Sequence, residues 1–145
     1  MQLLPIKQFL EENEEFASNP LCSETLQMCI DFYKKIGFEP PWICYYAEVN
    51  GGLVGSAGFK GAPKNNKIEI AYGTFEKCRK QGFGTEICKE LVKLALKTQP
   101  DVIVTAQTLP INNYSTQILK KNNFVFTATL IDPEDGEVWE WEYKG

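Results

Sequence analysis

The spacing of apolar positions changes along the chain, and each change marks an element. Near the N-terminus, "IKQFLEENEEF" carries Ile6, Phe9, Leu10 and Phe16 on a loosely helical face. "SETLQMCIDFYKKIGF" repeats the helical period more clearly through Leu26, Ile30 and Tyr33, with Ser23 as the expected N-cap and Gly37 as the stop. The prolines at 40 and 41 end helical structure. Spacing then shortens to strand-like runs, "WICYYAEV" and "LVGSAGF", joined by "NGG", where Asn-Gly is a strong hairpin signal. After the break "KGAPKNN" comes another strand-like run, "KIEIAYGTF".

From residue 84 to 97 the period lengthens again, with Ile87, Leu91, Leu94 and Ala95 opposite Glu86, Lys89, Glu90, Lys93 and Lys97, the pattern of a helix lying on a sheet. "DVIVTAQ" reads as a short strand, and "NNYSTQILKKNNF" as a helix capped by Asn112 or Asn113 and ending near Asn123. "FVFTATLI", the turn "DPEDG" and "EVWEWEY" predict a closing hairpin. The order is helices, three strands, helix, strand, helix, two strands. It predicts a mixed α/β sheet, antiparallel at first, with a strand–helix–strand crossover between 67 and 106.

Composition narrows the function. At 145 residues, with 43% hydrophobic and 23% charged residues, the chain is expected to form a single domain, 1–145, around one core. A net charge of −4 argues against a general nucleic-acid binder and favours a cationic or amine-bearing partner. "MQLLPIKQFL" has no secretory pattern and no run can span a bilayer, so a cytoplasmic protein with no membrane partner is expected. Five cysteines with no C-x-x-C pair, in a chain without histidine, argue against structural zinc and a disulfide framework. The absence of histidine also removes Ser-His-Asp and Cys-His catalysis, leaving carboxylates, tyrosines, hydroxyls, thiols, lysines or water to move protons.

"CRKQGFGTEI" concentrates two cations and two glycines where a strand hands over to a helix. The N–H groups of a helix start lack intrahelical partners and face the positive end of the macrodipole, which is how helices hold phosphates. The same sequence also serves as a tight, solvated connection. Neither G-x-x-x-x-G-K-[ST] nor the three-glycine dinucleotide fingerprint is present.

Residues 79–84, "RKQGFG", match the R/Q-x-x-G-x-G/A loop of the GNAT acyltransferase superfamily, and "IEIAYGTFEKCRKQGFGTEICKELVKLALK" resembles that family's central strand, pyrophosphate loop and following helix. "NNYSTQILKKNNF" resembles a later family stretch, with Ser115 and Leu119 most like the branch of ribosomal-protein alanine N-acetyltransferases; Asn123 replaces the usual Gly before Phe124. The resemblance implies a mostly antiparallel sheet of six to seven strands, about four helices, and a splay between the central strands. It implies acetyl-CoA as co-substrate, no metal, and an acceptor that is a small amine or a peptide N-terminus. Arg79, Lys80, Gln81, Gly82, Phe83, Gly84 and Thr85 become the phosphate-binding set, Ala71, Tyr72 and Gly73 the pantetheine-pairing strand end, and Asn112 a second pantetheine contact.

A neutral amine must attack the thioester, yet amines with pKa near 8 to 10.4 are mostly protonated at pH 7, so a base is needed. Glu69 matches the position of that base in many GNAT proteins, although an alternating strand also explains a solvent-facing glutamate there. Where the family often has an acidic tyrosine this chain has Leu119, which leaves Ser115 as first candidate for protonating the thiolate, followed by Tyr114 and Tyr72. Helix capping explains Ser115 equally well. Cys78 beside Arg79 has the setting of a reactive thiol, but direct transfer needs none. Two other classes stay open: a CoA-binding regulatory module without turnover, and an interaction protein using the final hairpin, through which a homodimer could also pair.

Overall fold

A computed structural model describes residues 1–145. Seven strands form one sheet: β1 (Gln2–Pro5), β2 (Cys44–Val49), β3 (Gly52–Phe59), β4 (Lys67–Thr74), β5 (Ile103–Thr108), β6 (Phe124–Asp132) and β7 (Gly136–Tyr143), in the order β1-β2-β3-β4-β5-β7-β6. Only β4 and β5 run parallel. Four helices complete the chain: α1 (Glu14–Ala17), α2 (Ser23–Ile36), α3 (Phe83–Thr98) and α4 (Tyr114–Lys121). The mixed, mainly antiparallel sheet agrees with the expected architecture, and the seventh strand is β1, which the apolar pattern had not revealed.

The expected helix over residues 6 to 16 breaks up. Ile6 and Phe16 are buried, but Phe9 and Leu10 lie exposed, so the four do not share a face. Asn13 is the cause: its buried side chain accepts from Lys7 N–H at 2.8 Å and donates to the Lys7 and Phe9 carbonyls at 3.1 and 2.9 Å. It wraps the preceding backbone around itself, and local capture of this kind competes with a helix. Only a 3₁₀ turn at Leu10–Glu12 and the four-residue α1 remain. Ser23, expected as an N-cap, is instead the first residue of α2; Asn19 caps the 3₁₀ turn Pro20–Cys22 before it, and the Ser23 hydroxyl donates to the Pro20 carbonyl.

Hydrophobic burial explains where the two long helices sit. Ile87, Cys88, Leu91 and Ala95 of α3 are fully buried, each large apolar side chain contributing roughly 1.5–3 kcal/mol. Leu26, Ile30 and Tyr33 bury the inner face of α2. The Tyr33 hydroxyl donates to the Ile6 carbonyl at 2.8 Å and accepts from Cys44 N–H at 2.9 Å, locking α2 to the first two strands. β2 and β3 are joined through the two-residue turn Asn50–Gly51, with Val49 opposite Gly52, as the Asn-Gly signal predicts.

One close approach fixes the far end of β4. A Cβ at Gly55 would lie 2.3 Å from the Gly73 carbonyl oxygen and 3.0 Å from Ile87 Cδ1. Gly55→Ala is therefore expected to lower stability by about 1–3 kcal/mol through overpacking, read as a lower midpoint in urea denaturation.

Candidate active site

β4 has a partner strand on each edge, but the two ladders overlap only at Ile70. Lys67, Ile68, Glu69 and Ile70 pair with Ile103, Val104, Thr105 and Ala106 of β5, and the ladder then stops. Beyond it, β5 continues against β7 while Ala71 to Thr74 pair with β3 alone. The strands splay at Ile70, and one edge of Ala71–Thr74 is left open.

The chain then crosses a 3₁₀ turn, Glu76–Cys78, and enters α3 through two left-handed residues, Lys80 with φ 66° and Gly82 with φ 82°. Gly82 is the N-cap and offers no side-chain acceptor. The first main-chain bond of the helix runs from Glu86 N–H to the Gly82 carbonyl, so the N–H groups of residues 80 to 85 have no main-chain acceptor. A Cβ on Gly82 would touch nothing within 4 Å, so the space beside this residue is empty of protein. Gly84, in contrast, is buried: a Cβ there would come within 2.8 Å of Ile118 Cδ1, which ties the start of α3 to α4. The Asn122 amide donates to the Thr85 carbonyl at 3.1 Å and strengthens that tie.

These features open into three cavities that meet at the end of β4. The first, of about 450 Å³, is lined by Tyr72, Gly73, Thr74, Arg79, Lys80, Gly84, Tyr114, Ser115 and Ile118. The second, of about 130 Å³, holds Glu69 and Ser115 together with Lys60, Ala71, Tyr72, Gln107, Thr108 and Leu119. A third, of about 380 Å³, lies between α2 and the surface of β3 and β4. Tyr72 borders all three.

Most of the sequence-derived candidates thus converge, but not all. Glu69 and Ser115 share the small cavity, and Ser115 also faces the large one. Arg79, Lys80, Gly84, Tyr72 and Gly73 line the large cavity, while Ala71 belongs to the small one and the one under α2. Gln81, Phe83 and Thr85 line none of the three cavities; Phe83 and Thr85 open α3, and Phe83 packs against the core. Asn112 lies elsewhere: Asn113 takes the N-cap of α4, accepting from Thr116 N–H at 3.2 Å, and Asn112 instead lines a separate groove with Lys120, Phe124, Phe126, Trp139 and Trp141. That groove has no carboxylate. Cys78 lines none of the three cavities and packs half-buried against the core.

Lys60 is the neighbour that sequence reading missed. Its ammonium lies 2.5 Å from Glu69 Oε2, an oxygen shielded from solvent and without a well-aligned hydrogen bond, and its N–H donates to the Glu69 carbonyl at 2.9 Å. The ion pair holds Glu69 toward the cavity floor. Burial, together with the neighbouring Cys88, raises the Tyr72 phenol well above its usual range, so the resting side chain is neutral; burial likewise pushes the Cys88 thiol up to about 12.

Loop, splay and convergent cavities define an acetyltransferase fold of the GNAT type, and the acetyltransferase (GNAT) domain family matches residues 7–125. The chain belongs to that family. Among solved structures it is similar to aminoglycoside acetyltransferase AAC(6')-Ib in complex with coenzyme A, at 20% identity and TM-score 0.62, covering 70% of this chain and 65% of that one. It is similar to RimL, a ribosomal L7/L12 alpha-N-protein acetyltransferase in complex with coenzyme A, at 16% identity and TM-score 0.63, covering 81% and 68%. A spermidine N-acetyltransferase SpeG chimera from Vibrio cholerae and hSSAT aligns over 99% of this chain and 95% of its own, at 11% identity and TM-score 0.71. The chain spans just under two thirds of the aminoglycoside acetyltransferase. No curated protein matches it. No helix is long and apolar enough to cross a membrane, and no cluster of His, Cys, Asp or Glu could hold a metal ion.

Gly82→Val would place a β-branched side chain at φ 82°, in the turn that carries the free N–H groups. It is expected to weaken acetyl-CoA binding at least about tenfold, and Arg79→Ala only a few-fold, because a solvated cation contributes about 1 kcal/mol or less. Isothermal calorimetry on folded variants measures both.

Proposed function

We propose that this protein transfers an acetyl group from acetyl-CoA to a primary amine by direct attack within a ternary complex. The observation that carries the reading is the convergence of two unsatisfied main-chain surfaces on one cavity. The free N–H groups of residues 80 to 85 suit a pyrophosphate, with Arg79 and Lys80 beside them, and the open edge of Ala71–Thr74 suits the amides of a pantetheine arm. Acetyl-CoA supplies the thioester. The neighbouring fold families with coenzyme A bound support the same co-substrate. Five unpaired cysteines fit a reducing compartment such as the cytoplasm.

The chain's own groups then divide the work. Glu69 takes a proton from the acceptor ammonium, directly or through water, so that the amine nitrogen can bond to the carbonyl carbon. N–H groups of the open strand meet the negative charge that develops on the carbonyl oxygen. As the carbon–sulfur bond breaks, the thiolate takes a proton from a hydroxyl in the same cavity; Ser115 faces both cavities and is our first choice, with Tyr72 and Tyr114 close behind. Leu119, buried where a tyrosine would serve, favours a second reading in which the protein binds CoA without turnover. Release of CoA in the presence of amines separates the two.

Acetyl-CoA and CoA should raise the melting temperature, while ATP and NAD should do so far less, because only a ligand selective for the folded state stabilises it. Equal shifts from all of them would remove the co-substrate assignment. Glu69→Gln is expected to keep acetyl-CoA affinity and lower kcat about 10²-fold or more, the usual effect of a positioned base. The deficit should shrink as pH rises toward the acceptor's own pKa, since a neutral amine needs no base. Steady-state rates on both proteins from about pH 6 to 10 test this.

A further inference from the structure

The cavity under α2 adjoins the reacting groups. It shares Lys60, Ala71 and Tyr72 with the Glu69 cavity, and Tyr72 and Gly73 with the large one. Its floor is made by cross-strand partners of small size, Ser56 opposite Gly73 and Gly58 opposite Ala71. Its roof comes from Met28, Cys29 and Phe32 of α2. No aspartate or glutamate lines it. The acidic residues of α2 point away: Glu24 and Asp31 are exposed, and Asp31 already accepts from the Gln27 amide and sits 4.0 Å from Lys34.

Resting on the acetyltransferase reading, we propose that this cavity is the acceptor site and that the acceptor carries one positive charge on an apolar body. A polyamine or aminoglycoside would bring several ammonium groups into a space with no carboxylate to meet them, and each would lose its hydration uncompensated. Lys60, the one cation in the lining, is already paired with Glu69 and offers further ammonium groups no acceptor. A single ammonium reaches Glu69, while an aryl or alkyl body fills the space over Gly58 and Ala71 and leaves water behind. An apolar monoamine and a peptide with an apolar N-terminal residue present the same chemistry at this point.

The test compares kcat/KM for 2-phenylethylamine, a phenylalanine-initiated tripeptide amide, spermidine and kanamycin, following CoA release, with acetyl-CoA binding measured in parallel by calorimetry. One or both apolar amines should exceed both polycations by at least about tenfold, and whichever of the two is faster identifies the source. Met28, 68% exposed at the rim, can be changed without disturbing the core: Met28→Glu should raise kcat/KM for spermidine several-fold and lower it for 2-phenylethylamine. Preference for either polycation, turnover of neither apolar amine while acetyl-CoA binds, or an unchanged profile in Met28→Glu would overturn the assignment. Loss of acetyl-CoA binding itself would instead remove the acetyltransferase reading beneath it.

Discussion

The structure depends on a main-chain ladder that stops halfway. Buried peptide groups must find partners, and β5 supplies them to β4 only as far as Ile70. Past that point β5 continues against β7 on its other edge, and the edge of Ala71–Thr74 away from β3 becomes a surface that a ligand can complete. Everything proposed about the site starts from this divergence: the large cavity lies along the open edge, the small one lies in the fork, and the third lies on the sheet face at the same residues.

Packing keeps the fork open. Gly55 lets β3 approach the Gly73 carbonyl, Ile87 presses on the same place from α3, and Gly84 admits Ile118 of α4. The start of α3 is thereby held against α4, with its first N–H groups lacking main-chain acceptors and its cap position occupied by a residue with no side-chain acceptor. A serine or aspartate cap would stabilise an ordinary helix by about 1 kcal/mol, so omitting it leaves donors for an external anion. On the opposite side, Tyr33 fastens α2 over the small-residue floor, which leaves a hollow where larger side chains would have filled the interface.

Much of this was legible in the sequence, for definite reasons. The amphipathic period of α3, the Asn-Gly turn and the strand-to-helix glycines are local signals, set by residues close together in the chain. Asn123 adopts φ 64°, the left-handed conformation that made it an acceptable replacement for glycine at a helix end. Local signals failed where a competing contact was not periodic. Asn13 folded its own surroundings into a knot of side-chain hydrogen bonds, and β1 is too short for its alternation to stand out from four residues.

The sequence by itself determined which residues could do chemistry: without histidine, proton transfer fell to carboxylates, hydroxyls, thiols, lysines or water, and Arg79, Lys80, Gly82 and Gly84 marked the strand-to-helix turn as a candidate anion site. Tertiary structure alone decided which of them meet. Whether Glu69 faces solvent or a cavity depends on strand register, and register across the "KGAPKNN" loop cannot be counted from the chain. Pairing Phe59 with Ile70 sets Lys60 against Glu69, and the fork beside Ile70 brings Ser115 to the same cavity. Asn113 takes the N-cap of α4 and Asn112 lines a separate groove, a division that two identical neighbouring residues do not express in the sequence.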